Sequence, residues 1–415
     1  MAVFRISGPR AGEVLDAFCG GRGAPRTARL VTMRLADGTV LDQGLVLWFP
    51  GPASFTGEDV AELHLHGSPA VERAFTDAMT AFGLVPATAG AFTLRAFEAG
   101  KLDLAQAEGL GDLLSAETDA QRRQALGQLG GALSERAEAW RARLLAAMAA
   151  TEASVDFPDE ADVPDGIGAA AAAPLRAMLA DMEAALAQAG GAARLRDGVT
   201  VVLTGPPNAG KSSLLNRLAG SERAIVSDEA GTTRDLLEVR MELGGHLVTM
   251  IDTAGIRDSA SEVERQGIDR ARRAANEADL RVEVQDARSV TGPPPPEART
   301  VWVASKTDLL APGTDLPQGW LGASVIKEGG TNSLLAAVTR IVGEGGQAGV
   351  LTRRRHVALI GSAATDVRRT LGSQQEPEIV AEELRMTLSR IDELTGRIAP
   401  DEVLGEVFSA FCIGK

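Results

Sequence analysis

The stretch "GVTVVLTGPPNAGKSSLLNRLAG" constrains the fold of this chain more than any other part of it. An apolar run of strand length meets a glycine-rich loop, and the loop opens into a helical pattern. "GPPNAGKSS", residues 205–213, fits the spacing Gly-x4-Gly-Lys-Ser. Gly205 and Gly210 let the backbone wrap closely, so that successive N–H groups from Asn208 and Ala209 onward point at phosphate oxygens. A helix starting near Lys211 adds its N-terminal dipole. Lys211 supplies a point charge to the β- and γ-phosphates, and the Ser212 hydroxyl, followed by Ser213, is a ligand for Mg²⁺. Strand, loop and helix agree, and they require an α/β domain.

That domain is expected over residues 196–345, where strand, loop and helix alternate. "DTAG", 252–255, ends a strand; Asp252 is placed to hold Mg²⁺ through water, Gly255 can offer its N–H to the γ-phosphate, and Thr253 and Ala254 between them are counted with the GTP-binding residues. "GTTRD", 231–235, offers Thr233 as a second hydroxyl for Mg²⁺. "VASKTDLL", 303–310, has the spacing of a guanine-reading loop: Asp308 accepts from the base and Lys306 lies along the ring. The usual leading Asn is Ser305, shorter but still a hydroxyl. "GASV", 322–325, is similar to a second base-contacting loop through Ser324 and Val325, so a weakened guanine site is expected. The residue after "DTAG" is Ile256, which cannot orient a water, so either another group serves, with Asp258, Glu262 and Glu264 offered by the stretch that follows, or the intrinsic rate is negligible.

The flanks read differently. Residues 1–101 mix strands ("LVTMRL", "GLVLWF", "VAELHLH") with loops and short helices. From Leu102 helical spacing takes over through Trp140, Leu144, Met148 and Val155, with a break at "DFPDEADVPDGIG" and a second stripe from Leu175 to Leu186. Helical spacing resumes over 346–415 through Leu384, Leu388, Ile391 and Leu394, and ends in a helix with Pro400 near its start. The α/β domain therefore reads as inserted between a helical first part, 102–195, and a second part, 346–415. "TGPPPP", 291–296, reads as a surface loop.

Composition excludes several classes. A net charge of −14 makes a poor stand-alone nucleic-acid binder, so contact with a nucleic acid calls for a local patch or a basic partner. "TRRRH", 352–356, is the one basic run and reads as a solvated helix start. Two cysteines at opposite ends, Cys19 and Cys412, form no disulfide framework and suit a reducing cytoplasm. No window approaches a membrane span.

"FPGPASFTGEDVAELHLHG", "AFTLRAFEAGKLDLAQAE", "VDFPDE", "AIVSDEAGTTRD", "DTAGIRDSASEVERQGI" and the terminal "FCIGK" occur in the order of one family's signatures. The chain resembles the bacterial tRNA-modification GTPases called MnmE or TrmE over essentially its whole length. The resemblance implies an N-terminal α+β folate-binding-like domain that forms a homodimer, a helical bundle domain, and a Ras-like P-loop GTPase domain inserted in the latter. It implies GTP hydrolysis switched on by K⁺-dependent pairing of two G domains. K⁺ is then held by Asn208, Ser227, Glu229 and Thr232, with Glu264 organising the attacking water. The family adds an aminomethyl-type group at C5 of the wobble uridine of certain tRNAs, with an FAD- and NADH-dependent partner, MnmG (GidA). A methylene- or 5-formyl-tetrahydrofolate is held by positions matching Arg5, Glu62, Lys101 and Lys415, and Cys412 matches a Cys proposed to act in the chemistry. Other readings are a catalytically weak scaffold of the same complex and a ribosome-assembly GTPase, the latter without its usual basic RNA-binding module.

The sequence departs from the family pattern in three places. It starts at "MAVFRISG", where the family has a further strand; an exposed sheet edge and a weaker folate pocket and dimer are expected. "LRVEVQDA", 280–287, puts Arg281, Glu283 and Gln285 into a strand expected to be covered on both faces. The third is Ser305.

Overall fold

The computed structural model describes residues 1–156, 169–221, 223–225, 238–252, 278–343, 349–372 and 377–411. The chain divides into two compact units. One comprises Met1–Gly111, Gln128–Leu145 and Arg385–Lys415; the other comprises Asp112–Gly127 and Ala146–Leu384.

The first unit is built on an antiparallel sheet of β1 (Ala2–Ser7), β2 (Arg29–Arg34), β3 (Val40–Phe49) and β4 (Val60–Leu65), in the order β1-β4-β3-β2. Alternation along each strand sends Ile6, Val31, Met33, Val46, Trp48 and Leu63 to one face. There they pack on α1 (Ala11–Phe18) and α2 (Pro69–Ala81) through Val14, Leu15, Phe75 and Met79. The other face mixes the Arg5–Glu62 pair with an apolar row. Val3, His64, Leu45 and Leu30 lie in one cross-strand row, and Val3 and Leu30 are 56% and 65% exposed. β1 lies at one edge of this sheet and β2 at the other. A second cluster joins α3 (Ala91–Glu98) and α4 (Leu104–Ser115) to the last helix, through Leu104, Ala107, Phe408 and Phe411.

The second unit carries β5 (Val199–Thr204), β6 (Glu238–Leu243), β7 (His246–Asp252), β8 (Leu280–Asp286), β9 (Thr300–Ser305) and the short β10 (Leu321–Gly322). They form one sheet in the order β10-β9-β8-β5-β7-β6, parallel except for β6. In β5, Val201, Val202 and Leu203 are all buried, as a central parallel strand demands. One face of the sheet packs on α8 (Lys211–Ala219) and α9 (Asn332–Gly343) through Leu214, Leu215, Leu334 and Val338. Helices α5 (Asp119–Leu129) and α6 (Ala132–Asp156) precede the sheet in the chain, as does α7 (Ala169–Asp197); α10 (Arg354–Gly372), α11 (Pro377–Thr395) and α12 (Asp401–Ser409) follow it. Within the unit α7 and α10 lie together and are tied at the surface by Glu183 and Arg368 at 2.5 Å.

Two expectations change. β8 is central yet one-sided: Leu280, Val282 and Val284 enter the core, while the Arg281 side chain is 53% exposed and pairs loosely with Glu297 at 3.9 Å. The connection from β8 to β9 carries only a 3-10 turn, Ala287–Ser289, followed by the "TGPPPP" loop, so it lays no helix over this part of the sheet. That explains the alternating charges. The run 352–356 does begin a helix, but Thr352 and His356 are buried and Arg353 pairs with Asp112 at 2.7 Å, so it is not a solvated patch. The break expected over 156–168 lies, apart from Asp156, outside the described residues.

Candidate functional site

The phosphate loop runs from the end of β5 to the start of α8. Gly205 has φ +130, and a Cβ there would stand 2.1 Å from the Val284 carbonyl oxygen, so only glycine fits against β8. Asn208 takes a left-handed φ of 60 and Gly210 one of 99. Gly210 caps α8 without a side-chain hydrogen bond, which leaves the first-turn N–H groups for a ligand. Lys211 is buried at the first helical position. Its Nζ donates to the carbonyls of Gly205 (2.8 Å) and Pro206 (2.9 Å), which folds the ammonium back over the loop. The Ser212 hydroxyl donates to Asp252 Oδ2 at 2.5 Å, and Asp252 is buried at the end of β7. A hydroxyl and a carboxylate converging beside a phosphate cradle are the hard oxygen donors that Mg²⁺ takes, so these residues fit that ion. Ala209 is buried and Ser213 is exposed on the first turn of α8.

The base loops gather at the ends of β9 and β10. Ser305 is buried, and its hydroxyl reaches the carbonyls of Ala209 and Gln285, the latter at 3.0 Å. The short Ser thus makes the tie to the phosphate loop that a longer amide would make. Lys306 turns into a left-handed conformation, φ 58, and its Nζ donates to Asn208 O at 2.6 Å and to Asp286 at 3.1 Å. The Ser324 hydroxyl donates to Asp308 Oδ1 at 2.6 Å and accepts from the N–H groups of Ile326 and Lys327. Chiefly this hydrogen bond, helped by the charge of Lys327, holds the Asp308 carboxyl below the usual carboxylate range. Asp308 therefore presents an ionised acceptor, with one oxygen fixed, to a donor edge such as that of guanine. Val325 is half-buried against the core. Hydrogen bonds thus tie Ser212 to Asp252, Ser305 and Lys306 to the phosphate loop, and Ser324 to Asp308.

In the first unit Arg5 and Glu62 face each other across β1 and β4, with Nε to Oε1 at 2.9 Å. The Arg5 guanidinium also lies 5.9 Å and 5.8 Å from the ring centres of Phe55 and Phe92. Lys101 runs along the loop that carries Phe55: a Cβ on Gly57 would stand 3.5 Å from its Cε. Arg5 further borders a groove of about 670 Å³ floored by Phe4, Ile6, Phe75, Met79 and Phe92. Cations, a carboxylate and aromatic faces fit the ring and carboxylates of a folate. Ser227, Glu229, Thr232, Thr233, Thr253, Ala254, Gly255, Ile256, Glu264, Cys412 and Lys415 lie outside the described residues.

The sequence reading missed Asp286, which pairs with Lys306, and Arg288, which pairs with Asp286. The available signal was position: Asp286 ends a central parallel strand and Arg288 follows it, at the carboxyl side where α/β sheets place ligands.

A profile described as the MnmE helical domain matches residues 104–412, and one described as the GTP-binding protein TrmE N-terminus matches 1–101. The chain is 46% identical over 441 residues to the tRNA modification GTPase MnmE of Rhodopseudomonas palustris strain CGA009, covering 100% of this chain and 96% of that one. The chain belongs to the MnmE family. The MnmE of Caulobacter vibrioides is likewise 46% identical over 432 residues, covering 100% and 96%, and that of Beijerinckia indica 46% over 421, covering 100% and 93%. These MnmE relatives match the flanking regions as well as the phosphate loop between them. Among solved structures, the FeoB G domain of Methanococcus jannaschii aligns at 19% identity with a TM-score of 0.25, covering 35% of this chain and 98% of that one.

Proposed function

We propose that the chain is a K⁺-activated GTP hydrolase that acts with an FAD- and NADH-dependent partner of the MnmG (GidA) class. Together they modify C5 of the wobble uridine of certain tRNAs. The observation that carries this reading is one continuous network: the phosphate loop, with Lys211 and the Ser212–Asp252 pair, is bonded to base loops whose Asp308 is held ionised. The names of the end-to-end relatives supply the tRNA part of the reading.

In this reading Lys211 and the first-turn N–H groups of α8 bind the β- and γ-phosphates, and Asp308 and Lys306 bind the base. Ser212, Asp252 and Thr233 are the residues to hold Mg²⁺, which would neutralise phosphate charge. Asn208, Ser227, Glu229 and Thr232 are those to hold K⁺, whose charge would stand where an arginine finger acts in other GTPases. Glu264 takes the water-orienting role that Ile256 cannot. Arg5, Glu62, Lys101 and Lys415 bind the tetrahydrofolate that would bring the one-carbon unit, and Cys412 serves the modification chemistry. The exposed apolar row through Val3, Leu45 and Leu30 supports a homodimer through the first unit. The reading places the work in the cytoplasm.

The test is steady-state GTP hydrolysis in K⁺ and in Na⁺, with Lys211→Ala as control. Guanine-selective turnover stimulated by K⁺ and abolished in the variant is expected. Equal rates in the two salts would refute the K⁺ switch, and no turnover by a folded wild type would favour a scaffold.

A further inference from the structure

We propose that Asp286, locked by Arg288, is a positioning residue for nucleotide binding that sets Lys306 across the seam between the base loop and the phosphate loop. The proposal rests on the GTP-binding reading above and names a part of that site outside its binding loops.

Asp286 closes β8 and pairs in register with Ser305 at the end of β9. Both of its carboxylate oxygens are engaged. Oδ1 accepts from the Arg288 N–H at 3.0 Å and from its Nε at 2.9 Å; Oδ2 accepts from Arg288 Nη2 at 2.7 Å and from Lys306 Nζ at 3.1 Å. A guanidinium fork on both oxygens stops the carboxylate from rotating, which a lone ammonium does not do. The Lys306 ammonium then bridges Asp286 and the Asn208 carbonyl, 2.6 Å away on the phosphate loop.

The bridge joins the two points of this site that most need holding. Asn208 and Lys306 are both non-glycine residues with left-handed φ, 60 and 58. Such a conformation costs free energy and persists only where the surroundings impose it. Charge also decides the role. A bare carboxylate this close to a phosphate cradle would repel the ligand, whereas the trio of Asp286, Arg288 and Lys306 carries a net positive charge. Arg288 therefore offsets the carboxylate while fixing its direction. The carboxyl of Asp286 is held well below the usual range, first by the Arg288 hydrogen bonds and then by Lys306, so the bridge stays charged throughout the physiological range.

The experiment uses the full chain and a fluorescent GDP analogue. Affinity and dissociation rate are measured for wild type, Asp286→Ala, Asp286→Asn, Arg288→Ala, Arg288→Lys, Lys306→Met and the Asp286→Asn/Lys306→Met double variant. Asp286→Ala should weaken binding about 3–10-fold, mostly through faster release. Arg288→Ala should weaken it about 2–3-fold, and Arg288→Lys should not restore it, because an ammonium lacks the fork. In the Lys306→Met background Asp286→Asn should add less than about 1.5-fold, since a residue acting through another shows no separate effect once the other is gone. The preference for guanine over hypoxanthine should stay unchanged, because Asp308 reads the base. Additive losses in the double variant, or Asp286 variants that fold and bind like wild type, overturn the proposal while leaving the GTP reading intact. A folded wild type that binds no guanine nucleotide overturns both.

Discussion

Replacing Ser305 by Ala isolates the tie between base and phosphate loops. The hydroxyl is buried and shares one proton between the carbonyls of Ala209 and Gln285. Alanine removes the donor and leaves the Ala209 carbonyl, which belongs to the phosphate loop, without this partner. A hydrogen bond of this kind contributes about 0.5–1.5 kcal/mol net, but a buried group left unsatisfied costs about 1–3 kcal/mol. If the bound loop geometry bears the whole loss, affinity falls about 5–150-fold, with about tenfold as the central expectation. Whatever share falls on the free protein lowers the melting temperature instead, by about 2–4 °C per kcal/mol for a unit of this size. Stopped-flow exchange of a fluorescent GDP and a thermal melt of the same sample measure both shares. Ser305→Thr, which keeps the hydroxyl, should bind within about threefold of wild type. Ser305→Asn should bring no gain, because the tie to the phosphate loop exists already. An alanine variant with affinity within about twofold of wild type and an unchanged melt would refute this account of Ser305.

Lys211→Ala should abolish measurable GTP hydrolysis, with a loss of at least about 10²-fold, while far-UV circular dichroism stays native. Asp308→Asn should weaken GTP at least about tenfold and improve XTP, because an amide donates where the carboxylate only accepts; competition binding with both nucleotides measures the exchange. Burial, with the charge of Arg194 adding to it, holds the His246 imidazole below its ordinary range. The unfolded chain then takes up a proton that the fold refuses, so this contribution to stability is complete above about pH 6.5 and falls as pH drops below it. Urea midpoints across that window should flatten in His246→Leu, and an unchanged slope would contradict the assignment. Arg5→Ala breaks a half-exposed ion pair worth less than about 1 kcal/mol of stability, yet it should cost at least about tenfold in 5-formyl-tetrahydrofolate affinity by calorimetry.

Where local pattern and tertiary environment agree, the sequence was readable. The β5–loop–α8 segment changes period from strand to helix across the glycine loop, and the structure places every residue of "GPPNAGKSS" accordingly. The strands "LVTMRL", "GLVLWF" and "VAELHLH" likewise alternate because one face of their sheet is buried. β8 was legible as a strand but not as a one-sided one, because its exposure is set by the connection that follows and not by its own residues. The run 352–356 reads as solvated for a similar reason: its environment is set by residues far away in sequence, such as Asp112, which takes Arg353. Asp286 carries no motif at all; its role depends on which strand lies beside β8 and on where Lys306 turns.

The helix-free crossover after β8 also leaves an optical consequence. Trp302 and Trp320 meet edge to face with ring centres 5.4 Å apart, and the Trp320 indole donates to Gly292 O at 2.9 Å in that crossover. The chain has four tryptophans and no tyrosine, and the other two, Trp48 and Trp140, are buried. Trp302 stands three residues before Ser305, and Trp320 leads through β10 to Ser324. The half of the domain proposed to read the base therefore carries its own pair of fluorophores, and under that proposal intrinsic emission is expected to change as natural, unlabelled nucleotides arrive and leave.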